Sequence, residues 1–205
     1  MAARSATKNA ALGEINISDV LTLIIQEIVT RSPDFRHINL LRMLVCIASN
    51  KSNGRGAIYG KVVPLRFRDG AGELYHHGKR YTMPVVMCNG ISQLYLIYFY
   101  FPKFFDLPAM EKLRVVFHEL YHINPLFNGD IRRMGRVRES HGSSRKNFDR
   151  QFEESLQSFC AHVADTPYMN FLMMDTAQLA RNFSIITARR MKVPRPIVEK
   201  ADQNT

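Results

Sequence analysis

The segment after Pro108 repeats apolar and aromatic side chains at helical spacing, and two histidines fall within that repeat. The repeat comprises Leu113, Val116, Phe117, Leu120 and Tyr121. Residues four apart on an α-helix lie on one face, one turn above the other. The pattern therefore predicts a helix that packs against a core and holds His118 and His122 side by side. Asn124-Pro125 is expected to end it.

The two histidines belong to the run His118-Glu119-Leu120-Tyr121-His122, which has the form H-E-x-x-H. Both imidazoles can reach a single Zn²⁺ at roughly 2.0–2.1 Å. The metal acidifies its water and polarises the scissile carbonyl of a peptide. Glu119 is placed to take a proton from that water as general base and to deliver it to the leaving amine. We therefore predict one zinc ion held by His118 and His122.

A catalytic zinc usually has three protein ligands, so the helix leaves one ligand to be supplied from elsewhere. His141 is the first histidine downstream and precedes the next predicted helix, and Gly142 eases a sharp entry into that helix. We take His141 as the expected third ligand. The alternative is a carboxylate on the following helix, Glu153 or Glu154.

Water attack on an amide creates an oxyanion that needs a hydrogen-bond donor beyond the metal. The candidates, which the sequence does not rank, are Tyr95, Tyr121, Arg132 and Arg133. Asp130 is a candidate to accept a proton from a ligand imidazole as its outer partner. Equally, Asn128-Gly129-Asp130 has the composition of a simple turn.

The order of the remaining elements predicts an α+β fold. An amphipathic helix from Ser18 to Pro33 is followed by strands near 40–48, 57–67, 81–87 and 95–101, with later helices near 143–163 and 169–183. We expect one domain over 18–185, a flexible leader over 1–17 and a basic, polar tail over 186–205. The aromatic run Tyr95–Phe101 is either a strand edge that pairs with an extended substrate or a central core strand.

The chain carries 28 Lys and Arg against 18 Asp and Glu, a net charge of +10. Two windows, 131–150 and 181–200, each hold a surplus of five positive charges and so account for the whole excess. Such windows indicate either a nucleic-acid partner or solvated surface arginines.

The composition also bears on location. No apolar run is long enough to span a membrane, and the polar N-terminus does not resemble a secretory signal. The three cysteines lie far apart in apolar surroundings, which is typical of free thiols in a reducing compartment. We therefore expect a cytoplasmic protein without a membrane partner.

The H-E-x-x-H run followed by His141-Gly142 and an aromatic helix resembles the SprT-like zinc metallopeptidases, whose third ligand is the histidine of a His-Gly pair. Residues 122–133 also resemble a group of small metallopeptidases of microbes and phages. The resemblance covers roughly residues 40–160. It implies a minimal zincin-like fold with a short mixed or antiparallel sheet, the zinc helix and a packed C-terminal helix. The loop is longer than in SprT-like proteins and no cysteine zinc ribbon follows, so DNA-dependent repair is not implied.

These features predict a zinc endopeptidase that acts on protein or peptide substrates. Three alternatives stay open at this point. One is a nucleic-acid-binding protein whose zinc site is structural or degenerate, and another is a DNA-associated SprT-like protease. The third is a metal-dependent hydrolase of a non-peptide bond, because H-E-x-x-H specifies the metal and the base but not the substrate.

Overall fold

The computed structural model describes residues 12–49, 58–134 and 144–200, in which helices and short strands are mixed along the chain. The strands are β1 (Leu12–Asn16), β2 (Met43–Ser49), β3 (Gly60–Pro64), β4 (Glu73–His76), β5 (Lys79–Thr82), β6 (Met87–Cys88), β7 (Ile91–Ser92), β8 (Tyr95–Phe101), β9 (Phe183–Thr187) and β10 (Ile197–Lys200). The helices are α1 (Ile17–Arg31), α2 (Ala109–Tyr121), α3 (Arg145–Asp149), α4 (Glu153–Val163), α5 (Pro167–Met173) and α6 (Thr176–Asn182). The predicted α+β class is confirmed.

A three-stranded mixed sheet lies at the centre, with β8 between β2, which is parallel to it, and β3, which is antiparallel. Tyr95, Ile97 and Phe99 face the main core, whereas Leu96 and Tyr98 face a smaller apolar cluster on the other side. Both faces are buried, so the interpretation of Tyr95–Phe101 as a central core strand is confirmed. The two edge strands of this sheet are β2 and β3.

Helices α1, α2 and α4 contribute to the main core on one face of the sheet. Phe117 of α2 packs against Phe35, Phe152 and Phe159, with ring centroids 5.3, 6.1 and 5.8 Å apart. These edge-to-face and tilted contacts between buried rings hold the predicted H-E-x-x-H helix against its neighbours.

The later helices are shorter than the periodicity predicts. The helix expected over 143–163 is divided into α3 and α4 by a 3₁₀ turn at Arg150–Phe152, and Ser144 caps α3 by accepting from the backbone N–H of Asn147. The helix expected over 169–183 is likewise two helices, because Asp175 starts α6 with a capping box to Gln178. Apolar spacing continues across both breaks, and local capping decides where each helix begins.

The prediction of a flexible leader over 1–17 is wrong for residues 12–17. Strand β1 pairs in parallel with β9 from the far end of the chain, with Leu12 opposite Phe183 and Asn16 opposite Thr187. Asn16 then caps α1 by accepting from the N–H groups of Ser18 and Asp19. The leader was expected because a polar segment carries no sign of a partner 171 residues away in the sequence.

The prediction of a basic, polar tail over 186–205 is wrong for residues 186–200. The backbone N–H of Arg189 donates to Ser18 Oγ, its carbonyl accepts from Ile47, and its guanidinium donates to the carbonyl of Val45. Strand β10 then pairs antiparallel with β5. Backbone pairing of this kind depends on distant strands and leaves little trace in composition. None of the described helices is long and apolar enough to cross a membrane, and the three cysteines are free thiols.

Candidate metal centre

Helix α2 places the two histidines of the motif beneath the surface of the protein. Its apolar face, with Leu113, Val116 and Leu120, is fully buried, which fixes the rotation of the helix. His118, Glu119 and His122 follow on the adjoining face and are only 5%, 7% and 7% exposed. Buried polar side chains require partners, and those partners define the site.

The two imidazoles converge through their Nε2 atoms, which lie 3.2 Å apart. Two nitrogens bound to one tetrahedral zinc at about 2.0–2.1 Å are themselves about 3.3 Å apart. The spacing and the nitrogen donors therefore fit a shared metal ion. Within the described ranges, no third His, Cys, Asp or Glu joins the pair to complete a metal-binding group.

The segment after the undescribed residues 135–143 supports both rings. Phe148 of α3 is buried and packs on His118 and His122, with ring centroids 4.9 and 4.6 Å away. Asp149 Oδ1 lies 2.6 Å from His118 Nδ1. Neither residue was among the sequence candidates. The one signal for Asp149 was its position in the helix after His141-Gly142, and nothing in its surroundings distinguished it from a surface carboxylate.

Glu119 is held by the edge of the central sheet. Its Oε2 accepts a hydrogen bond from the backbone N–H of Val62 at 2.9 Å. Gly60, two residues earlier on β3, allows this approach, since a Cβ there would be 2.8 Å from Glu119 Cγ and 3.0 Å from Val115 Cγ1. The carboxylate is thus positioned beside the histidine pair by a strand backbone 57 residues away in the sequence.

The outer edge of β3 faces this carboxylate. Tyr100 donates its N–H to the carbonyl of Tyr59, and Leu65 donates to Leu94, so residues 59, 61, 63 and 65 bond toward β8. In an antiparallel pair the alternate residues direct their N–H and C=O groups away from the neighbour. Gly60, Val62 and Pro64 therefore present their backbones outward, on the side where Glu119 is bound.

The candidates for a third ligand occupy different positions. His141 lies outside the described residues. Glu153 accepts hydrogen bonds from both terminal nitrogens of Arg114, and these bonds commit its carboxylate to that guanidinium. Glu154 lines a cavity of about 660 Å³ between α4 and the end of α1. The structure does not bring Glu153 or Glu154 into a metal-binding group with the histidines.

Asp130, proposed as an outer partner of a ligand imidazole, lies in a network of turn contacts. Its carboxylate accepts from the N–H groups of Asp69 at 2.9 Å and Ile131 at 2.7 Å, and Arg133 donates to both of its oxygens. Tyr95 reaches the same turn, accepting from Gly129 N–H and donating to the carbonyl of Asp130. Burial raises the pKa of Tyr95 to about 12. These contacts stabilise a turn, and they agree with the interpretation of Asn128-Gly129-Asp130 as a simple turn.

Tyr121 and Arg132, two further oxyanion candidates, pack against each other at the end of α2. The Arg132 guanidinium lies 4.0 Å above the Tyr121 ring centroid, and its Nε donates to the Tyr121 carbonyl at 2.8 Å. A half-buried cation over an aromatic face stabilises the start of the following loop. Both side chains therefore have local structural roles at the C-terminal end of the helix.

The basic windows divide between internal contacts and solvent. Arg132, Arg133 and Arg189 bind groups of the same chain. Other basic side chains in the windows are exposed, namely Lys146, Arg150, Arg181, Arg190, Lys192 and Arg195. This distribution accommodates solvated surface charge, and a nucleic-acid partner for these windows stays a prediction.

Two histidines and a glutamate that converge on one helix, beside the outer edge of a sheet, are typical of a metal-dependent hydrolase. The sequence model of a family described as "putative phage metallopeptidase" matches residues 14–149, more than half of the chain. The chain belongs to this metallopeptidase family. The match runs from β1 to Asp149 and so includes α2 and β3. The comparisons with curated proteins and with solved structures gave no match.

Proposed function

We propose that this protein is a zinc-dependent peptidase whose hydrolytic site is centred on α2. The observation that carries the proposal is the 3.2 Å separation of the His118 and His122 Nε2 atoms. This separation fits two ligands of one zinc ion, and the adjacent Glu119 is anchored on the strand edge. Membership of a metallopeptidase family supports the same reaction class.

His118 and His122 would hold the ion, with His141 proposed as the third ligand. Zinc is favoured over harder cations because the described ligands are imidazole nitrogens. When bound, the ion supplies Lewis-acid chemistry, which acidifies water and polarises a peptide carbonyl.

Glu119 acts as general base in this proposal. Its carboxylate takes the proton from the attacking water and then delivers it to the nitrogen of the leaving amine. The hydrogen bond from Val62 N–H to Oε2 orients the carboxylate, and burial excludes bulk water that would compete for the proton. The base is therefore positioned before a substrate arrives, which lowers the reorganisation needed in the transition state.

The substrate is proposed to bind as an extended strand along β3. Gly60 and Val62 direct their backbones outward at this edge, and because Val62 N–H is bound to Glu119, the Val62 carbonyl is the group that it offers to a peptide. Backbone pairing of this kind binds a peptide without reading its side chains. Pro64 has no N–H, so its outward side offers an acceptor alone. A peptide paired here would pass directly beside Glu119.

The test replaces the base while leaving its hydrogen bond possible. Glu119→Gln retains an oxygen that can accept from Val62 N–H, so the variant should bind zinc like the wild type and lose at least about 100-fold in peptide hydrolysis. Zinc content and cleavage of a quenched fluorescent peptide library are measured in parallel. Glu111→Gln is the matched control, because Glu111 is an exposed glutamate of the same helix that lies 3.6 Å from Arg114.

Two results would contradict the proposal. A Glu119→Gln variant that cleaves peptides at the wild-type rate removes Glu119 as the base. A wild-type protein that binds no zinc contradicts the proposed metal site. If Glu111→Gln loses as much activity as Glu119→Gln, the loss reflects general damage to α2 rather than a missing base.

A further inference from the structure

Two pairs of side chains join α2 to the segment that begins with α3, and they are in register. His118 meets Asp149, and Arg114, one turn earlier on α2, meets Glu153. Arg114 and His118 are four residues apart on α2, and Asp149 and Glu153 flank the 3₁₀ turn between α3 and α4, so the two pairs lie side by side. Glu153 engages both terminal nitrogens of Arg114, and Asp149 Oδ1 meets the imidazole of His118.

The contact to Asp149 has a defined chemical consequence for His118. An ionised carboxylate only accepts hydrogen bonds, so the 2.6 Å contact places the proton on Nδ1 of the imidazole. The neutral ring then carries its lone pair on Nε2, the atom that lies 3.2 Å from Nε2 of His122. This tautomer is the one that can ligate a metal at the point where the two rings converge.

The geometry points to Asp149 as the positioning residue of the metal centre, and this inference rests on the proposed zinc-peptidase function. Asp149 holds His118 in its ligating tautomer and rotamer. It also makes Nε2 of His118 a stronger electron-pair donor to a metal ion. Outer carboxylates of this kind raise the basicity of a ligating histidine and restrict its rotation. Their loss weakens metal binding even though they do not touch the metal.

The burial of the pair supports a role beyond a surface ion pair. The side chains of His118 and Asp149 are 6% and 19% exposed, so water competes little for their hydrogen bond. Phe148, the residue before Asp149, packs on both imidazoles. Two consecutive residues of α3 thus fix the histidines, one by packing and one by hydrogen bonding.

The experiment measures zinc affinity directly, by competition with a chromophoric chelator, on the full-length protein. Asp149→Asn keeps the shape of the side chain and removes its charge, and we expect its zinc dissociation constant to rise about 10- to 100-fold. The visible spectrum of the Co²⁺-loaded protein should change as well, because a neutral amide polarises the His118 ring less than a carboxylate does. Asp165→Asn removes an exposed aspartate that lies outside the contacts between α2 and α3 and serves as the control.

A second measurement needs no variant, in case Asp149→Asn does not fold. Nitrogen-15 NMR of the metal-free wild type at about pH 8, above the ordinary histidine pKa, should show the His118 proton on Nδ1. A proton on Nε2 overturns the inference. So does an Asp149→Asn variant that folds and binds zinc within about twofold of the wild type.

The outcomes separate this inference from the proposed function. A wild-type protein that binds zinc but cleaves no peptide contradicts the peptidase, while the effect of Asp149 on zinc affinity is still measured. A wild-type protein that binds no zinc overturns both proposals. An active zinc peptidase whose affinity is indifferent to Asp149 overturns the positioning role alone.

Discussion

Gly60→Ala is the substitution with the sharpest expected effect at the strand that anchors Glu119. The backbone of Gly60 does not have a positive φ, so an alanine is compatible with its conformation. The obstacle is space, because the added Cβ would lie 2.8 Å from Glu119 Cγ and 3.0 Å from Val115 Cγ1. Either β3 moves away from α2, or Glu119 moves away from Val62.

Two opposing terms set the size of the effect. Replacing glycine by alanine in a strand stabilises a protein by about 0.5–1 kcal/mol when the site has room. Inserting a methyl group into a packed contact costs about 1–3 kcal/mol. The free energy of unfolding should therefore fall by about 1 kcal/mol, with an upper limit of about 2.5 kcal/mol when the packing cost is greatest.

The loss of peptidase activity should exceed what the loss of stability alone would cause, since Glu119 itself is displaced. The relevant assays are urea denaturation, zinc affinity and kcat/KM for a fluorescent peptide. Zinc affinity should stay near that of the wild type, because the methyl group meets the base and not the histidines. Gly72→Ala is the matched control, with 3.9 Å from its new Cβ to Arg66 Nη1. The reasoning is refuted if Gly60→Ala is as stable and as active as Gly72→Ala.

Two further predictions concern buried polar groups outside the site. Tyr95→Phe should lower the free energy of unfolding by about 1–3 kcal/mol in urea denaturation, because Gly129 N–H and the Asp130 carbonyl lose their buried partner; an unchanged midpoint would contradict this. Lys112 is 2% exposed and donates to the carbonyls of Leu172 and Met174, and burial lowers its pKa from 10.5 to about 8. The unfolded chain therefore holds more protons between about pH 8 and 10.5, so this residue should add stability as the pH rises, by at most about 3 kcal/mol. The difference in unfolding free energy between wild type and Lys112→Met isolates that rise, and a difference that is flat between about pH 7.5 and 10 would refute it.

Local patterns in the sequence predict the elements that carry the site. The spacing of Leu113, Val116, Phe117 and Leu120 specifies an amphipathic α2, and the motif places His118 in its last turn and His122 at its C-cap. The run Tyr95–Phe101 is apolar on both faces, and a strand of that kind is buried on both sides wherever it lies. In each case the signal is the spacing of apolar residues, and it lies within a few helical turns or within a single strand.

The contacts that complete the site are not periodic and join distant segments. Val62 meets Glu119 across 57 residues, and Asp149 meets His118 across 31. The first depends on a backbone N–H, which every residue except proline has, and the second depends on where a loop returns the chain. Residue type therefore does not distinguish Val62 or Asp149 from other valines and aspartates.

The contact of Arg189 with β2 has a consequence for self-association. The Ile47 N–H and the Val45 carbonyl on the outer side of β2 are bound by the backbone and side chain of Arg189. An uncovered strand edge is a template on which another chain can add and aggregate. The C-terminal segment covers one edge of the central sheet, and β3, the strand proposed to bind substrate, forms the opposite edge. Coverage of β2 thus disfavours sheet extension on one side, while the proposed substrate strand would pair on the other side, beside Glu119.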